Sequence, residues 1–459
     1  MIRAVLSTLT ATFTVALVSC PSAGAIGPPQ VDASVAPPSG NPGPVAPMAQ
    51  RGACTTTGVL AGSNPGGLSP NQQALNLSEA WQHSRGEGQV VAVIDTGVQP
   101  GPRLPNVDPG GDFVEATDGL TDCDGHGTLV AGLIAGQPGD DEFSGVAPAA
   151  RLISIRQTSA KFAPQTPGED PTLARAAADV VSLARAVVRA ADLGARVINI
   201  SAVTCLPANK PIDQAALGAA LKYAAVDKDA VIVAAAGNNR AGMGTGSACE
   251  SNPLNDASRP DDPRNWSGVT SVSVPSWWQP YVLSVGSLTP AGQPSEFTMA
   301  GPWLGIAAPG ENITSVSNAP NGGLANGLPN DQQELFPISG TSYAAAYVSG
   351  VAALVRSKFP HLNAEQVMHR LTATAHDGAR SPSNLVGAGS VDPVAALTWE
   401  VPAERETQPP SAKPIAAPPP PAPRDLTPRT IAFAGTGALA LVVLIVAAVA
   451  AHRRKDKAT

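Results

Sequence analysis

Short apolar runs alternate with amphipathic stretches through the middle of the chain. Five runs rich in Val, Ile and Ala have the length and composition of buried strands, and they read QVVAVID, RLISIRQ, RVINIS, AVIVAAAG and YVLSVGSL. Three helical stretches lie among them, HGTLVAGLIAG, LARAAADVVSLARAVVRAADLG and IDQAALGAALKYAAV. This alternation predicts an α/β fold class, a doubly wound, mostly parallel sheet with helices on both faces. Functional side chains in such folds gather at the carboxyl ends of the strands.

The amino-terminal segment departs from this alternation. Residues 1–25 combine Arg3, an apolar run and the small-residue stretch SAGA, which predicts an export signal peptide rather than a first core helix. The stretch LVSC, which ends at Cys20, leaves lipid attachment open as an alternative. Residues 26–70 are rich in Pro, Gly and Ala and are predicted to be an extended segment. The stretch NQQALNLSEAWQHS then predicts a short helix at the start of a globular domain over residues 71–400.

The carboxyl-terminal segment predicts a membrane anchor. Residues 401–429 form a Pro-rich linker with polyproline II character. Residues 430–451 are long and apolar enough for one transmembrane helix across a hydrocarbon layer of about 30 Å. The tail 452–459 is basic, so the positive-inside rule places it in the cytoplasm. The domain is therefore predicted to lie on the extracytoplasmic, periplasmic side of the cell membrane.

Charge excludes one class of partner. The 459 residues carry a formal net charge of −7, and there is no basic cluster outside the two ends of the chain. A protein that binds nucleic acid needs a concentrated positive surface. Nucleic acid is therefore not an expected partner.

Cysteine usage agrees with an oxidising compartment. Once Cys20 is assigned to the export segment, four cysteines remain, namely Cys54, Cys123, Cys205 and Cys249. An even number in an exported protein favours two disulfides, and the count alone leaves three pairings open. No CxxC motif or His–Cys cluster points to a metal site, and no cofactor is expected.

Four reactive side chains occupy sharp turns in the predicted domain. Asp95 follows a buried strand in VVAVIDTGV, His126 lies between two glycines in DGHGTLVAG, Asn238 ends a strand in IVAAAGNN, and Ser342 precedes a helix in SGTSYAAAYVSG. Each alone has an ordinary structural explanation, as a turn former, a left-handed residue or a helix cap. All four, however, lie at junctions that meet at one edge of a parallel sheet.

Nucleophilic catalysis requires these four groups together. A serine hydroxyl becomes a good nucleophile when an imidazole takes its proton, and a buried carboxylate sets the tautomer of that imidazole. An Asn amide and a backbone N–H at a helix start can hold the developing oxyanion. The chain order Asp, His, Ser is the order found in subtilisin. The sequence therefore contains every group that a nucleophilic serine hydrolase requires.

The same four blocks resemble the signature blocks of the subtilisin-like serine proteases. The resemblance extends from about residue 80 to about residue 400 and includes RVINIS and SEFTMAGPWLGIAAPGENI. It implies a subtilisin-like fold and peptide-bond hydrolysis of polypeptide substrates. By this resemblance Asp95, His126 and Ser342 form the catalytic triad and Asn238 is the oxyanion donor. Ser201, Ala202 and Val203 correspond to a substrate-binding edge. Many subtilases have glycine where this chain has Val203, so a narrowed substrate pocket is expected.

The flanking segments are similar to those of the mycosins, membrane-anchored subtilases of mycobacterial type VII secretion systems. This resemblance implies association with type VII secretion components in the inner membrane and cleavage of selected secreted polypeptides. A different class of function stays open, namely a structural subunit that stabilises the secretion complex with proteolysis secondary. The sequence does not specify the substrate or the cleavage motif.

Two polar insertions, residues 239–273 and 318–334, follow catalytic blocks and are expected to border the cleft. Proximity to the blocks suggests the pairing Cys205–Cys249, beside the substrate edge, and Cys54–Cys123, beside the histidine block. The segment 26–70 is too short and too Pro-rich for a folded pro-domain. We expect it to remain attached and to wrap around the domain.

Overall fold

The computed structural model describes residues 26–166, 170–239, 249–254, 256, 258–330, 332–378, 382–402 and 425–455. The predicted signal peptide and most of the predicted Pro-rich linker lie outside the described residues. The chain divides into two compact units, residues 1–405 and 406–459.

Strands and helices are numbered separately in chain order. The strands are β1 Met48–Gln50, β2 Val90–Asp95, β3 Val107–Asp112, β4 Arg151–Arg156, β5 Phe162–Pro164, β6 Val197–Ile200, β7 Thr204–Pro207, β8 Val231–Ala235, β9 Ser271–Val274, β10 Val282–Leu288, β11 Leu304–Pro309, β12 Ser315–Val316, β13 Leu324–Ala325, β14 Gly327–Pro329, β15 Leu335–Pro337, β16 His376–Asp377 and β17 Gly389–Ser390. The helices are α1 Pro70–Ala74, α2 Leu77–Ala80, α3 His126–Ala135, α4 Pro171–Asp192, α5 Ala215–Lys222, α6 Thr341–Lys358, α7 Ala364–Ala373, α8 Pro393–Thr398 and α9 Thr427–Lys455. A π-helix, Tyr223–Asp227, continues α5, and a 3₁₀ turn occupies Trp266–Gly268.

The main sheet has nine strands in the order β16-β17-β11-β10-β8-β6-β2-β4-β3. Every neighbouring pair is parallel except β16 and β17 at one edge. The five strands predicted from sequence are β2, β4, β6, β8 and β10, and they are adjacent at the centre. The predicted α/β class with a mostly parallel sheet is confirmed.

Sequence patterning missed the edges of this sheet. The strand β3 reads VDPGGD, and Pro and Gly inside a run argue against a strand. It is tolerated because β3 is an edge strand, which pairs on one side with β4. The amide of Gly43 donates to the carbonyl of Asp112, so the amino-terminal segment covers part of the exposed edge.

Helices cover both faces of the sheet. Val91 and Val93 of β2 belong to one core cluster with residues of α3 and α6, whereas Ala92 and Ile94 belong to a second cluster with residues of α4 and α5. Side chains of a strand alternate between faces, so a strand covered on both sides is apolar throughout. This explains why the central strands appear as unbroken apolar runs.

Helix α6 is buried over almost its whole length, from Thr341 to Arg356. A helix that is apolar on all sides belongs in the interior of a protein. The small residues in AAAYVSGVAAL allow close packing, and a Cβ at Gly350 would lie 2.5 Å from the side chain of Val146. The middle of α6 therefore packs closely against the segment between α3 and β4.

The predicted helix at residues 71–84 is wrong as a single element. It consists of the short helices α1 and α2, separated at Asn76, which has a left-handed φ of 44°. Asn tolerates this conformation better than other non-glycine residues. The predicted extended segment 26–70 contains one strand, β1, which pairs antiparallel with β5.

The second unit contains the helix α9. Its apolar part, Thr427–Arg453, has 27 residues, and it is the one helix in the described ranges that is long and apolar enough to cross a membrane. A rise of about 1.5 Å per residue gives a length of about 40 Å, more than the hydrocarbon layer requires. The predicted span 430–451 lies within this helix.

Candidate active site

The four candidate side chains are placed by three adjacent strands and two helix starts. Strands β2, β6 and β8 are neighbours, and Ile94, Ile200 and Ala234 lie level with one another. Asp95 directly follows Ile94, and Ser201 directly follows Ile200. Asn238 lies three residues after the end of β8. His126 is the first residue of α3 and Ser342 is the second residue of α6.

Asp95 and His126 are in direct contact. The Oδ1 atom of Asp95 lies 2.7 Å from Nδ1 of His126, and both side chains are buried. Because a carboxylate can only accept a hydrogen bond, the proton lies on Nδ1 and Nε2 is the basic nitrogen. Burial lowers the pKa of His126, but the charge and hydrogen bond of Asp95 raise it. The charges of Asp122 and Asp124 act in the same direction, so the net pKa is raised.

Ser342 lies at the same edge but is bonded to a different neighbour. Its Oγ donates to the carbonyl of Ser201 at 3.1 Å, and the Ser201 hydroxyl donates to the Ser342 carbonyl at 3.2 Å. Within the described residues, Nε2 of His126 has no hydrogen-bond partner. Ser342 is not the cap of α6, because Gly340 occupies that position. The ordinary explanation of Ser342 as a helix cap is therefore excluded.

Asn238 is oriented by the residue before the serine. Its Oδ1 accepts from the backbone N and from Oγ1 of Thr341, at 3.0 Å each. The hydroxyl of Thr341 also lies 3.2 Å from the amide of Gly237, which donates to it. With the oxygen committed to Thr341, the amide nitrogen is the donor that Asn238 offers.

The predicted substrate edge lies between two strands. Ser201, Ala202 and Val203 follow β6 and precede β7, which pairs antiparallel with β9. Ser201 and Ala202 are buried, and Val203 is half-buried against the core. The structure therefore places this segment beside Ser342, through the bonds of Ser201.

Both hypothesised disulfide pairings are present. Cys54 is bonded to Cys123, and Cys205 is bonded to Cys249. The first joins the amino-terminal segment to the loop before His126, and the second joins β7 to the first insertion. No group of three or more His, Cys, Asp or Glu in the described ranges could hold a metal ion.

Sequence reasoning missed Asp122, four residues before the histidine. Its carboxylate accepts five hydrogen bonds, from the hydroxyl of Thr96, the amides of Asp124 and Gly125, and both the amide and the hydroxyl of Thr128. Burial raises the pKa of Asp122 to about 6. The pattern DCDGH carries a signal, since Asp before a Gly turn commonly bonds the backbone two or three residues on.

Sequence reasoning also missed Asn318. Its amide nitrogen donates to the carbonyls of Thr55 and Asp122, at 2.8 and 3.1 Å. Its oxygen accepts from the amide of Thr57 at 3.0 Å. One side chain therefore joins the start of the second insertion, the amino-terminal segment and the loop that carries His126.

The arrangement defines a class of site. A buried carboxylate holds an imidazole, and a serine at a helix start lies beside an amide whose oxygen is already committed. These are the groups of a nucleophilic serine hydrolase with an oxyanion donor. Comparisons with known proteins agree with this class.

The family model of the subtilase family, Peptidase S8, matches residues 86–389. Mycosin-3 of Mycobacterium tuberculosis (strain ATCC 25618 / H37Rv) is 68% identical over 460 residues, covering 100% of both chains. Mycosin-1 of Mycolicibacterium smegmatis (strain ATCC 700084 / mc(2)155) is 47% identical and covers 93% of this chain and 95% of its own.

Solved structures give the same result. The MycP3 protease from the type VII (ESX-3) secretion system superposes with a TM-score of 0.79 and 73% identity, covering 82% of this chain and 100% of that one. A chain of the intact ESX-5 inner membrane complex has a TM-score of 0.80 and 48% identity, covering 93% of this chain and 100% of that one. This chain therefore belongs to the subtilase family, in its mycosin branch, and is a subtilisin-like serine endopeptidase.

The activity is expected to fall in acid with a midpoint above pH 6.5. The prediction takes His126 as the general base, whose neutral imidazole is lost below its pKa, and this pKa is raised above the ordinary value of 6.5. The measurement is the rate constant for labelling by a fluorophosphonate as a function of pH, which reports the free enzyme. A midpoint below 6.5 would contradict the assignment of Asp95 as the partner that raises this pKa.

Proposed function

We propose that this chain is a membrane-anchored serine endopeptidase that processes secreted polypeptides beside a type VII secretion machine. The observation that carries the chemical part is the contact between Asp95 and His126 at the sheet edge where Ser342 is bonded to Ser201. The solved structures of similar chains from type VII systems support the cellular part.

The mechanism follows from the geometry. Ser342 turns its hydroxyl from the carbonyl of Ser201 to Nε2 of His126, which takes the proton as the oxygen attacks the peptide carbonyl. Asp95 holds the imidazole in the required tautomer and stabilises the imidazolium. Asn238 and a backbone N–H at the start of α6 stabilise the oxyanion. His126 then returns the proton to the leaving amine, and water hydrolyses the acyl-enzyme.

Substrate selection is assigned to the segment after β6. Ser201, Ala202 and Val203 belong to no strand in the structure, so their backbone groups are suited to pair with an extended substrate. Val203 has a side chain where glycine would leave open space. A narrowed pocket favours selected substrates over general proteolysis.

The remaining segments support an anchored, exported enzyme. We assign residues 1–25 to a signal peptide, 26–70 to an extension, 71–400 to the protease domain, 401–429 to a linker, 430–451 to a membrane span and 452–459 to a cytoplasmic tail. The apolar helix α9 and the two disulfides support this organisation, because disulfides persist on the extracytoplasmic side.

Labelling by a fluorophosphonate tests the chemical part. The probe reacts with an activated serine, so mass spectrometry of the full-length protein in detergent is expected to find the adduct on Ser342. His126→Ala is expected to abolish labelling, because the serine then lacks its base. Adducts on other serines, or equal labelling of the variant, would contradict the proposal.

A structural role is the second candidate function. A chain 48% identical to this one occurs in the intact ESX-5 inner membrane complex, and another at 49% identity occurs in its periplasmic assembly. Complementation of a deletion strain by Ser342→Ala separates the two functions. Restored secretion would show that the folded chain is required, whereas lost secretion would show that the reaction is required.

The amino-terminal extension is expected to remain attached in the mature enzyme. It contributes β1 to a pair with β5, it is bonded through Cys54 to Cys123, and Asn318 holds the backbone of Thr55. Amino-terminal sequencing of the membrane-bound protein should therefore begin close to residue 26. A start near residue 80 would show that the extension is released.

A further inference from the structure

The disulfide Cys205–Cys249 packs against the backbone that precedes the oxyanion donor. Gly237 has a φ of 104°, and a Cβ built on it would lie 2.7 Å from Sγ of Cys249 and 3.4 Å from Sγ of Cys205. Both sulfur atoms therefore occupy the space into which a side chain at the residue before Asn238 would extend. Only glycine combines this conformation with such a close approach.

The same disulfide also restrains Asn238 through the backbone. The amide of Cys249 donates to the carbonyl of Asn238 at 2.8 Å, and the amide of Met299 donates to the carbonyl of Gly237 at 3.0 Å. The thioether of Met299 lies 3.9 Å from Sγ of Cys205. The sulfur atoms and these two amides thus surround the turn that carries Asn238.

The other end of the disulfide lies on the substrate side of the cleft. Cys205 is in β7, directly after Thr204 and the edge segment Ser201–Val203. It is level with Ser273 of β9 in a regular antiparallel pair. The disulfide therefore connects two chain segments that have separate functions, the substrate edge and the oxyanion turn.

We propose that the Cys205–Cys249 disulfide is a positioning element for catalysis, which sets the oxyanion donor Asn238 relative to the substrate edge. The inference rests on the proposed function, in which Asn238 donates to the oxyanion. Thr341 sets the rotation of the Asn238 side chain, and the disulfide sets the position of its backbone. Catalytic donors must lie within a fraction of an ångström of their target, so release of this turn should slow the reaction.

A double-mutant cycle tests the proposal on the full-length protein in detergent. The variants are C205S/C249S, N238A and their combination, and the readout is the second-order rate constant for labelling of Ser342 by a fluorophosphonate. We expect N238A to slow labelling by about 10²- to 10³-fold, and C205S/C249S to slow it by about tenfold. The combined variant should be no slower than N238A alone within about twofold, because the disulfide acts through Asn238.

The second disulfide supplies a matched control. C54S/C123S removes the same chemical bond from the loop before His126, so its effect on labelling should be the same with and without N238A. A general loss of stability would likewise slow labelling by the same factor with and without N238A. Non-additivity confined to C205S/C249S is therefore the result that supports a positioning role.

Three outcomes are decisive against the inference. Labelling of C205S/C249S at the wild-type rate would overturn it, and so would a tenfold loss that persists in full in the N238A background. If Ser342 of N238A is labelled at the wild-type rate, both the assignment of Asn238 as oxyanion donor and the inference about the disulfide are wrong. If N238A slows labelling but the effects of N238A and C205S/C249S are additive, the inference about the disulfide is overturned and the oxyanion assignment stands.

Met299→Ala provides the test if C205S/C249S does not fold. This change keeps the disulfide and removes the thioether that lies beside Cys205 and Gly237. A smaller loss of labelling is expected, which should again be absent in the N238A background. A loss of equal size in both backgrounds would count against the proposal.

Discussion

Ser342→Ala is expected to lower peptide turnover by about a millionfold. The variant lacks the attacking oxygen, so His126 and Asp95 have no nucleophile to activate, while the oxyanion donor and substrate binding leave a small residual rate. Turnover is measured with a fluorogenic peptide library, because the cleavage motif is unknown. The fold should be retained, since the hydroxyl of Ser342 makes a single hydrogen bond, to the carbonyl of Ser201.

Ser357→Ala is the matched control for this substitution. Ser357 lies in the last turn of the same helix, α6, and its hydroxyl donates to the carbonyl of exposed Glu87. The Ser357→Ala protein should therefore turn over substrate at close to the wild-type rate. A Ser342→Ala protein that retains a tenth of wild-type turnover would show that another group is the nucleophile.

Asp95→Asn is expected to lower kcat by about 10⁴-fold. The amide can present its nitrogen to Nδ1 of His126, which favours the tautomer with the proton on Nε2 and removes the base. The change also removes the negative charge that raises the pKa of His126. The acid limb of the residual activity should therefore move to lower pH, because a lower pKa keeps the imidazole neutral in more acidic solution.

Asp108→Asn makes the same chemical change at a site away from the catalytic groups. Asp108 on β3 is partly exposed and pairs with exposed Arg151 at 2.9 Å. An exposed ion pair contributes little, about 0–1 kcal/mol, so kcat and its pH profile should not change. An acid limb that stays in place in Asp95→Asn would show that Asp95 does not set the pKa of His126.

The candidate catalytic residues could be proposed from sequence because each lies in a local pattern. An apolar run that stops at Asp95, and glycines on both sides of His126, mark a strand end and a sharp turn without any knowledge of distant contacts. The same is true of Ser342 before an apolar helix. The order of these patterns and the alternation of strands and helices were enough to predict a parallel sheet with one functional edge.

The supporting residues were not accessible in this way. Asn318 is an ordinary loop residue in the sequence, and its importance lies in its bond to remote Thr55. For Asp122, the pattern DCDGH signals the local turn but not the bond to remote Thr96. The edge strand β3 was missed because its Pro and Gly disfavour a strand. Pairing with β4 and cover from Gly43 outweigh that preference.

The amino-acid sequence was sufficient for the class of fold, the order of the chemical groups and the apolar carboxyl-terminal helix, since periodicity, turn residues and composition are properties of short segments. The close approach of the Cys205–Cys249 sulfurs to Gly237 and the hydrogen bond of Ser342 to Ser201 needed the folded chain. These features depend on distances between segments that are remote in sequence. No local pattern encodes such distances, because they follow from packing of the whole domain.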